Sequence, residues 1–432
     1  MADLTLSAEA LLQHMRLQGR PVRSAALQQV FGVSQPTMSR ALTALVQAGQ
    51  VCKLGAARQQ HYGLPRMIAG VGQRIPVTMV DGQGGLQFWG VLHALAGDGF
   101  WVEGEAALQM LGGEAFYPGL PWLIQDMRPQ GFLGRSFAKL HMEPALSPDP
   151  RQWSDDDVLR AITRFGNDLP GNLVVGEAAL QRLQTQAGTP LPVAEPPDYP
   201  RLAAAAMAGA MPGSSAGGEQ PKFCCLDAEG RSWIVKFSPA DANPVADRVR
   251  ALLRCEHLAL QLLREAGLPA AHTRYHEVQG RVFMAAQRFD RNVPDLTGQT
   301  PGRIGMVSLE SFNAEFAGPV DGWAQTSQRL HSLGLLSTEE ARTLQLWEAF
   351  GRLIANTDRH YGNVSLLWTG RRWALAPCYD MLPMRFMPVQ GEVPPWGWDM
   401  EAVQPPAALL PVWSEAQALA RSFWVQAAHY IA

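Results

Sequence analysis

Five cysteines in 432 residues, Cys52, Cys224, Cys225, Cys255 and Cys378, form no C-x-x-C pair and no paired spacing. Their scarcity excludes a disulfide-stapled scaffold and argues against a structural zinc site. It fits a reducing compartment, so a cytoplasmic location is expected. Also missing is any run of about 20 apolar residues. The longest uncharged stretch, Leu202 to Gly218, is rich in Ala and Gly and broken by Pro212, so no membrane span is expected. Asp3 and Glu9 stand where a secretory signal would be basic and then apolar, and no such signal is expected. No repeat with a period of roughly 20 to 50 residues is visible.

Acid is the most uneven shortage. No Asp or Glu occurs between Glu9 and Asp81, whereas residues 1–80 hold eight Arg or Lys. Against two acids, that leaves +6 in this segment; the whole chain, with 36 bases and 39 acids, is −3, so the remainder carries −9. A basic module on an acidic body points to a polyanionic partner. Ser7 and Gly19 bracket a helix over 7–18, a second runs from Ser24 to Phe31, and Ser34 opens a third to Gln47 with Gly49 beyond it. Gln50–Leu54 and Gln60–Leu64 alternate as two short strands. Three helices and a hairpin make a winged helix-turn-helix over residues 1–66. Met38, Leu42 and Leu45 share one face of the third helix, which leaves Gln35, Thr37, Ser39 and Arg40 for a groove of double-stranded DNA. Arg40 and Gln35 suit base edges, and Lys53 and Arg58 suit phosphates. Such modules also serve as protein-interaction domains; the depletion of acid is what favours DNA.

Residues 75 to 185 read as mixed structure without recognisable chemistry, and the five prolines between 190 and 200 read as a linker. The chemistry lies beyond. Ser337 and Glu340 form a capping box opening a helix that buries Leu344, Trp347, Phe350, Leu353 and Ile354 and delivers the chain to Asn356. Asp358 follows, then Asn363 five residues later, a strand pair, and Asp380. Taken singly, each of these is as well explained as a turn residue. Together they have the spacing of phosphoryl transfer: a carboxylate for the acceptor hydroxyl proton, and an amide oxygen and a second carboxylate for magnesium. Upstream, Gly213 to Lys222 is a glycine-rich loop matching neither G-x-G-x-x-G nor the Walker pattern. A hairpin then presents Lys236, and a helix over Val245 to Ala266 carries Glu256 to pair with it.

Three segments, Ser215 to Lys222, Gln287-Arg288-Phe289-Asp290-Arg291 and Asn356 to Asn363, resemble signatures of the HipA family of bacterial toxin kinases. The fused basic module resembles the YjjJ-type HipA-like proteins. The resemblance covers roughly residues 75 to 430 and implies an ATP- and Mg2+-dependent serine/threonine protein kinase. Known family substrates are aminoacyl-tRNA synthetases. It assigns Asp358 as catalytic base with His360 supporting its loop, Asn363 and Asp380 to magnesium, and Lys236, positioned by Glu256, to the nucleotide phosphates. Gly217, Gly218, Gln220 and Lys222 belong to the phosphate-binding loop, and Gln287 and Phe289 lie at the hinge beside adenine. Ser215 matches the autophosphorylated serine, with Ser214 beside it as the alternative. Gln287 departs from the family's usual glutamate, and Glu219 and Pro221 alter the loop.

The expected fold is α+β: a two-lobed, protein-kinase-like HipA fold preceded by a winged helix-turn-helix. The expected divisions are 1–66 for the DNA module, 67–195 for an N-terminal subdomain, 196–290 for the nucleotide lobe and 291–432 for the catalytic lobe. Expected partners are a protein substrate and DNA; a separate antitoxin and a homodimer stay open. Two other readings compete: a transcriptional regulator whose inactive kinase domain senses nucleotide, and a small-molecule phosphotransferase.

Overall fold

The computed structural model describes residues 6–56, 60–141, 146–185, 191–209, 218–292 and 301–431. Arg58, Ser214, Ser215 and Gly217 lie outside them.

The basic module contains helices α1 (Ala8–Gln18), α2 (Ser24–Phe31) and α3 (Gln35–Gln47) and an antiparallel hairpin of β1 (Cys52–Leu54) and β2 (His61–Gly63). Ser7 caps α1 by accepting from Ala10 N, and left-handed Gly19 and Gly32 end α1 and α2. Leu11, Leu27, Phe31, Met38, Leu42 and Leu45 form the core. Ser34 sits at the start of α3, but its hydroxyl bonds the Thr37 hydroxyl at 3.0 Å instead of a backbone amide. The exit from the hairpin is tied down. Leu54 is buried with Leu95 and Trp101, Arg66 N donates to Ala94 O at 2.9 Å, and Ala96 N donates to Leu64 O at 2.8 Å.

A middle unit follows. Strands β3 (Arg74–Val80), β4 (Leu86–Ala94) and β5 (Phe100–Glu103) lead through α4 (Glu105–Met110) to β6 (Phe116–Tyr117). Then come α5 (Trp122–Gln125), α6 (Gly131–Leu140), α7 (Asp155–Phe165), β7 (Leu173–Val175) and α8 (Glu177–Thr185). The five strands form one antiparallel sheet in the order β6-β5-β4-β3-β7. A full capping box, Ser154 with Asp157, starts α7, whose apolar stripe of Val158, Leu159 and Ile162 is fully buried.

The proline-rich stretch is not a free tether. Ala194 N donates to Leu226 O and Leu226 N donates to Pro192 O, both at 2.9 Å, so this stretch lies along the edge of the next sheet. That edge pairing satisfies backbone groups a linker would leave to water. Tyr199, at the start of α9 (Tyr199–Met207), enters the core beneath the sheet with Phe223, Phe237 and Phe283. The sheet itself, ordered β10-β11-β9-β8, comprises β8 (Lys222–Leu226), β9 (Ser232–Phe237), β10 (Thr273–Val278) and β11 (Arg281–Gln287). Helix α10 (Pro244–Glu265), capped by Asn243, packs on it.

The last unit is mainly helical: β12 (Met306–Ser308), α11 (Leu309–Phe316), α12 (Trp323–Ser332), α13 (Thr338–Leu353), β13 (Ser365–Trp368), β14 (Trp373–Leu375) and α14 (Leu410–Ile431). The Ser337–Glu340 capping box expected for α13 is complete. A four-stranded sheet with one long helix facing a helical unit is the two-lobed architecture expected. Among the described residues, no helix is long and apolar enough to cross a membrane.

Candidate active site

Between the small sheet and the helical unit lies a cavity of about 380 Å³, lined by Gly218, Lys222, Lys236, Glu256, Gln287, Phe289, His360, Asn363 and Asp380. This is within the range of small-molecule sites, roughly 300 to 1,000 Å³. Residues far apart in sequence meet there: Lys222 begins β8, Lys236 lies near the end of β9 and Gln287 ends β11, while His360 and Asn363 follow α13 and Asp380 follows β14.

Lys236 carries the electrostatics. Its Nζ donates to Glu256 Oε1 at 2.6 Å and to Asp380 Oδ1, and its side chain is only 8% exposed. Burial disfavours its charge, but Asp380 and Glu256 outweigh that and raise its pKa. Burial also acts to raise Asp380, yet Lys236 and Lys222 hold that carboxyl down at about 2. Glu256, 1% exposed, goes the other way: burial pushes it up and Lys236 only partly offsets this. One ammonium shared by two carboxylates favours the ionised form of one of them more strongly.

Lys222 faces Lys236 across the β8–β9 register. It is 3% exposed, and burial lowers its pKa to about 8. Gly218, at φ +90°, lies against it: a Cβ there would stand 2.9 Å from Lys222 Nζ.

The Asn356–Asn363 loop is braced from inside. Buried Asn356 accepts from Asp358 N at 3.0 Å, and Asn363 Nδ2 donates to Asp358 O at 2.8 Å. Tyr361, fixed by Thr326 and the Asp321–Gly322 backbone at 2.7 to 3.2 Å, anchors the loop to α12. His360 Nδ1 accepts from Gly362 N at 3.1 Å, and its Nε2 lies 3.8 Å from Asp358 Oδ1. The Asp358 side chain is half exposed. Asp380 holds φ +53°, a left-handed conformation costly for a residue with a Cβ.

The donor set suits a hard cation. Because Asn363 Nδ2 is engaged, its Oδ1 is left to serve as an oxygen ligand, and Asp380 adds a carboxylate beside Lys236. Among the described residues no group of three or more His, Cys, Asp or Glu could hold a metal by itself. Magnesium bound through one or two protein oxygens plus phosphates needs no such group. Ile234, Leu260, Ala271, Ala286 and Phe289 supply an apolar wall suited to a base.

Some contributors had no sequence signal. Asp126 of the middle unit lines the cavity and receives bonds from Ser308 N and, at 2.8 Å, from Ser308 Oγ and Ser311 Oγ; burial raises its pKa. Arg288 and Asp290, by contrast, lie in the Gln287–Arg291 segment that the sequence did mark, and they belong to a buried ionic cluster. Asp290 accepts from Arg288 at 2.8 and 2.9 Å, from Arg291 at 2.7 Å and from Gly171 N at 3.0 Å. In the basic module, Gln35, Ser39, Arg40 and Lys53 are exposed and Thr37 is half-buried.

Known proteins share much of this sequence. A family model described as "YjjJ-like toxin, middle domain" matches residues 71–184, and one described as "HipA-like C-terminal domain" matches residues 214–413. Toxin YjjJ of Escherichia coli (strain K12) is 37% identical over 386 residues, covering 87% of this chain and 83% of that protein. Among solved structures, HipA of Shewanella oneidensis MR-1, from a complex with HipB and operator DNA, gives a TM-score of 0.49 at 14% identity. It covers 83% of this chain and 91% of its own. The Helicobacter pylori proinflammatory kinase CtkA gives 0.28 at 18% identity, covering 38% and 54%. The identity and coverage shared with Toxin YjjJ establish that the chain belongs to the YjjJ-type, HipA-like toxins.

Proposed function

We propose that this chain is an ATP- and Mg2+-dependent serine/threonine protein kinase of the HipA-like toxin type. The observation that carries the reading is Lys236, buried between Glu256 and Asp380 in a cleft that also contains Asn363. An ordinary salt bridge would not place a lysine, a helix glutamate and a metal-suited carboxylate around one cavity.

Bound MgATP would supply the transferable phosphoryl group and a cation to neutralise its charge. Asn363 and Asp380 would hold the cation, Lys236 and Lys222 the phosphates, and Phe289 and Gln287 the base. Gly217, Gly218 and Gln220 would close over the phosphates. Asp358 takes the proton of the acceptor hydroxyl as its oxygen bonds to the γ-phosphorus and the bond to the ADP oxygen breaks. The half-exposed side chain of Asp358 leaves it accessible to a macromolecular acceptor. His360, bonded within the loop, keeps Asp358 at the mouth. The acceptor is proposed to be a cytoplasmic protein, with an aminoacyl-tRNA synthetase as the candidate from the family, and Ser215 or Ser214 as the autophosphorylation site.

The basic module is proposed to bind duplex DNA through Gln35, Thr37, Ser39, Arg40, Lys53 and Arg58, coupling the kinase to its own expression; an antitoxin or a second copy would be further partners. Working divisions at 1–66, 67–195, 196–290 and 291–432 remain useful, although Pro192–Ala194 pair with the nucleotide-lobe sheet. Phosphoproteomics of cells expressing wild type or Asp358→Ala tests the function. Serine or threonine sites that rise only with wild type name the substrate, and identical phosphoproteomes reject the proposal.

A further inference from the structure

Helix α6 lies in the middle unit, yet both of its ends grip the polypeptide that leads into the cleft. At its start, Phe132 N donates to Gly218 O at 3.0 Å and Arg135 pairs with Glu219 at 2.6 Å. Toward its end, Lys139 Nζ donates to Ala208 O at 2.6 Å, just past the last turn of α9. From residue 131 to 139 the helix rises about 12 Å, which sets the separation of the two grips. Phe132 packs on the core of the nucleotide lobe, whereas Phe137 and Ala138 belong to the large core that includes the middle unit. The helix is thus shared by two cores.

The contact at Gly131 is tight. At φ +63°, a Cβ on it would stand 2.6 Å from Gly218 O and 2.8 Å from Gly218 N. A Cβ on Gly218 would in turn stand 2.9 Å from Lys222 Nζ, so Gly131, Gly218 and Lys222 follow one another closely. Close-packed backbone passes a displacement on instead of absorbing it.

We propose that α6 is a positioning element for nucleotide binding, with Gly131 and Arg135 as positioning residues: Gly131 fixes Gly218, and Arg135 holds the adjoining Glu219. This rests on the reading of the cleft as an ATP site. The test uses the full chain and two readouts, MgADP affinity by calorimetry and KM against kcat for phosphate transfer from MgATP. Gly131→Ala is expected to weaken MgADP binding and raise KM for ATP about tenfold, with kcat within about twofold, because the clash falls on the binding loop and not on Asp358. Arg135→Ala, removing a half-exposed pair, is expected to cost about two- to fivefold in affinity, and Arg135→Lys to restore it. Circular dichroism checks folding; if Gly131→Ala does not fold, the Arg135 pair of variants decides. Wild-type affinity in Gly131→Ala and Arg135→Ala, alongside lost affinity in Lys222→Ala, overturns the positioning role and leaves the ATP site standing. Undiminished binding in Lys222→Ala, or none in wild type, overturns both.

Discussion

Lys222 should make nucleotide affinity and fold stability respond to pH in opposite directions. Its ordinary pKa of 10.5 falls to about 8 in the fold, because the amine is 3% exposed. Asp380 and Glu256 act to raise it, while Lys236 adds to the lowering. A base whose folded pKa lies below its unfolded value penalises the fold while both states are charged. At about 1.4 kcal/mol per pH unit, the gap amounts to about 3 kcal/mol at pH 7. The penalty is complete below about pH 8 and vanishes as pH rises to about 10.5. Lys222→Met should therefore stabilise the unliganded protein at pH 7 by up to about 3 kcal/mol in denaturant titrations while weakening MgATP binding. Binding should show the opposite slope. If phosphate contact needs the charged amine, apparent Kd grows as one plus ten to the power of pH minus 8, about tenfold between pH 7 and pH 9. Calorimetry in excess magnesium at constant ionic strength measures it. Lys222→Arg, always charged, should flatten the profile. A flat wild-type Kd over this range, or a Lys222→Met protein less stable than wild type, would refute the reasoning.

Two further outcomes are expected. Asp290→Asn leaves buried Arg288 and Arg291 with Asp168 as the one carboxylate they still share, so unfolding free energy should fall by about 3 to 5 kcal/mol in denaturant melts; a loss under about 1 kcal/mol would show that the cluster carries little stability. Arg40→Ala should weaken duplex binding by about 1 to 3 kcal/mol and relax its sequence preference, as for a base-edge contact, with thermal stability unchanged because the residue is exposed. Substitution is preferable to deleting the module, since Leu54 and Arg66 pack and bond against the middle sheet.

Legibility in the sequence followed how local the physics is. The helices of the basic module were readable to within a residue because Ser7, Gly19 and Gly32 act on their immediate neighbours. Lys236, Glu256, Asn363 and Asp380 were readable from their order, although nothing in one-dimensional spacing predicts that Lys236 bonds both carboxylates. The middle unit stayed opaque for a related reason. Asp126 meets Ser308 across 182 residues, and Gly131 meets Gly218 across two units. Neither pairing leaves a periodic or spaced pattern. The proline stretch misled because prolines mark linkers and sheet edges alike, and only the β8 partner distinguishes them.

Phosphate transfer at the cleft of Lys236, Asn363 and Asp380, with Asp358 as base, is directly measurable. The most direct measurement incubates the purified full chain with γ-labelled ATP and magnesium, followed by phosphoamino-acid analysis. The account predicts label on serine or threonine, lost in Asp358→Ala while MgATP still binds, and lost with chelated magnesium. MgATP binding by wild type with no transfer to itself or to lysate proteins would contradict it and identify a nucleotide sensor instead.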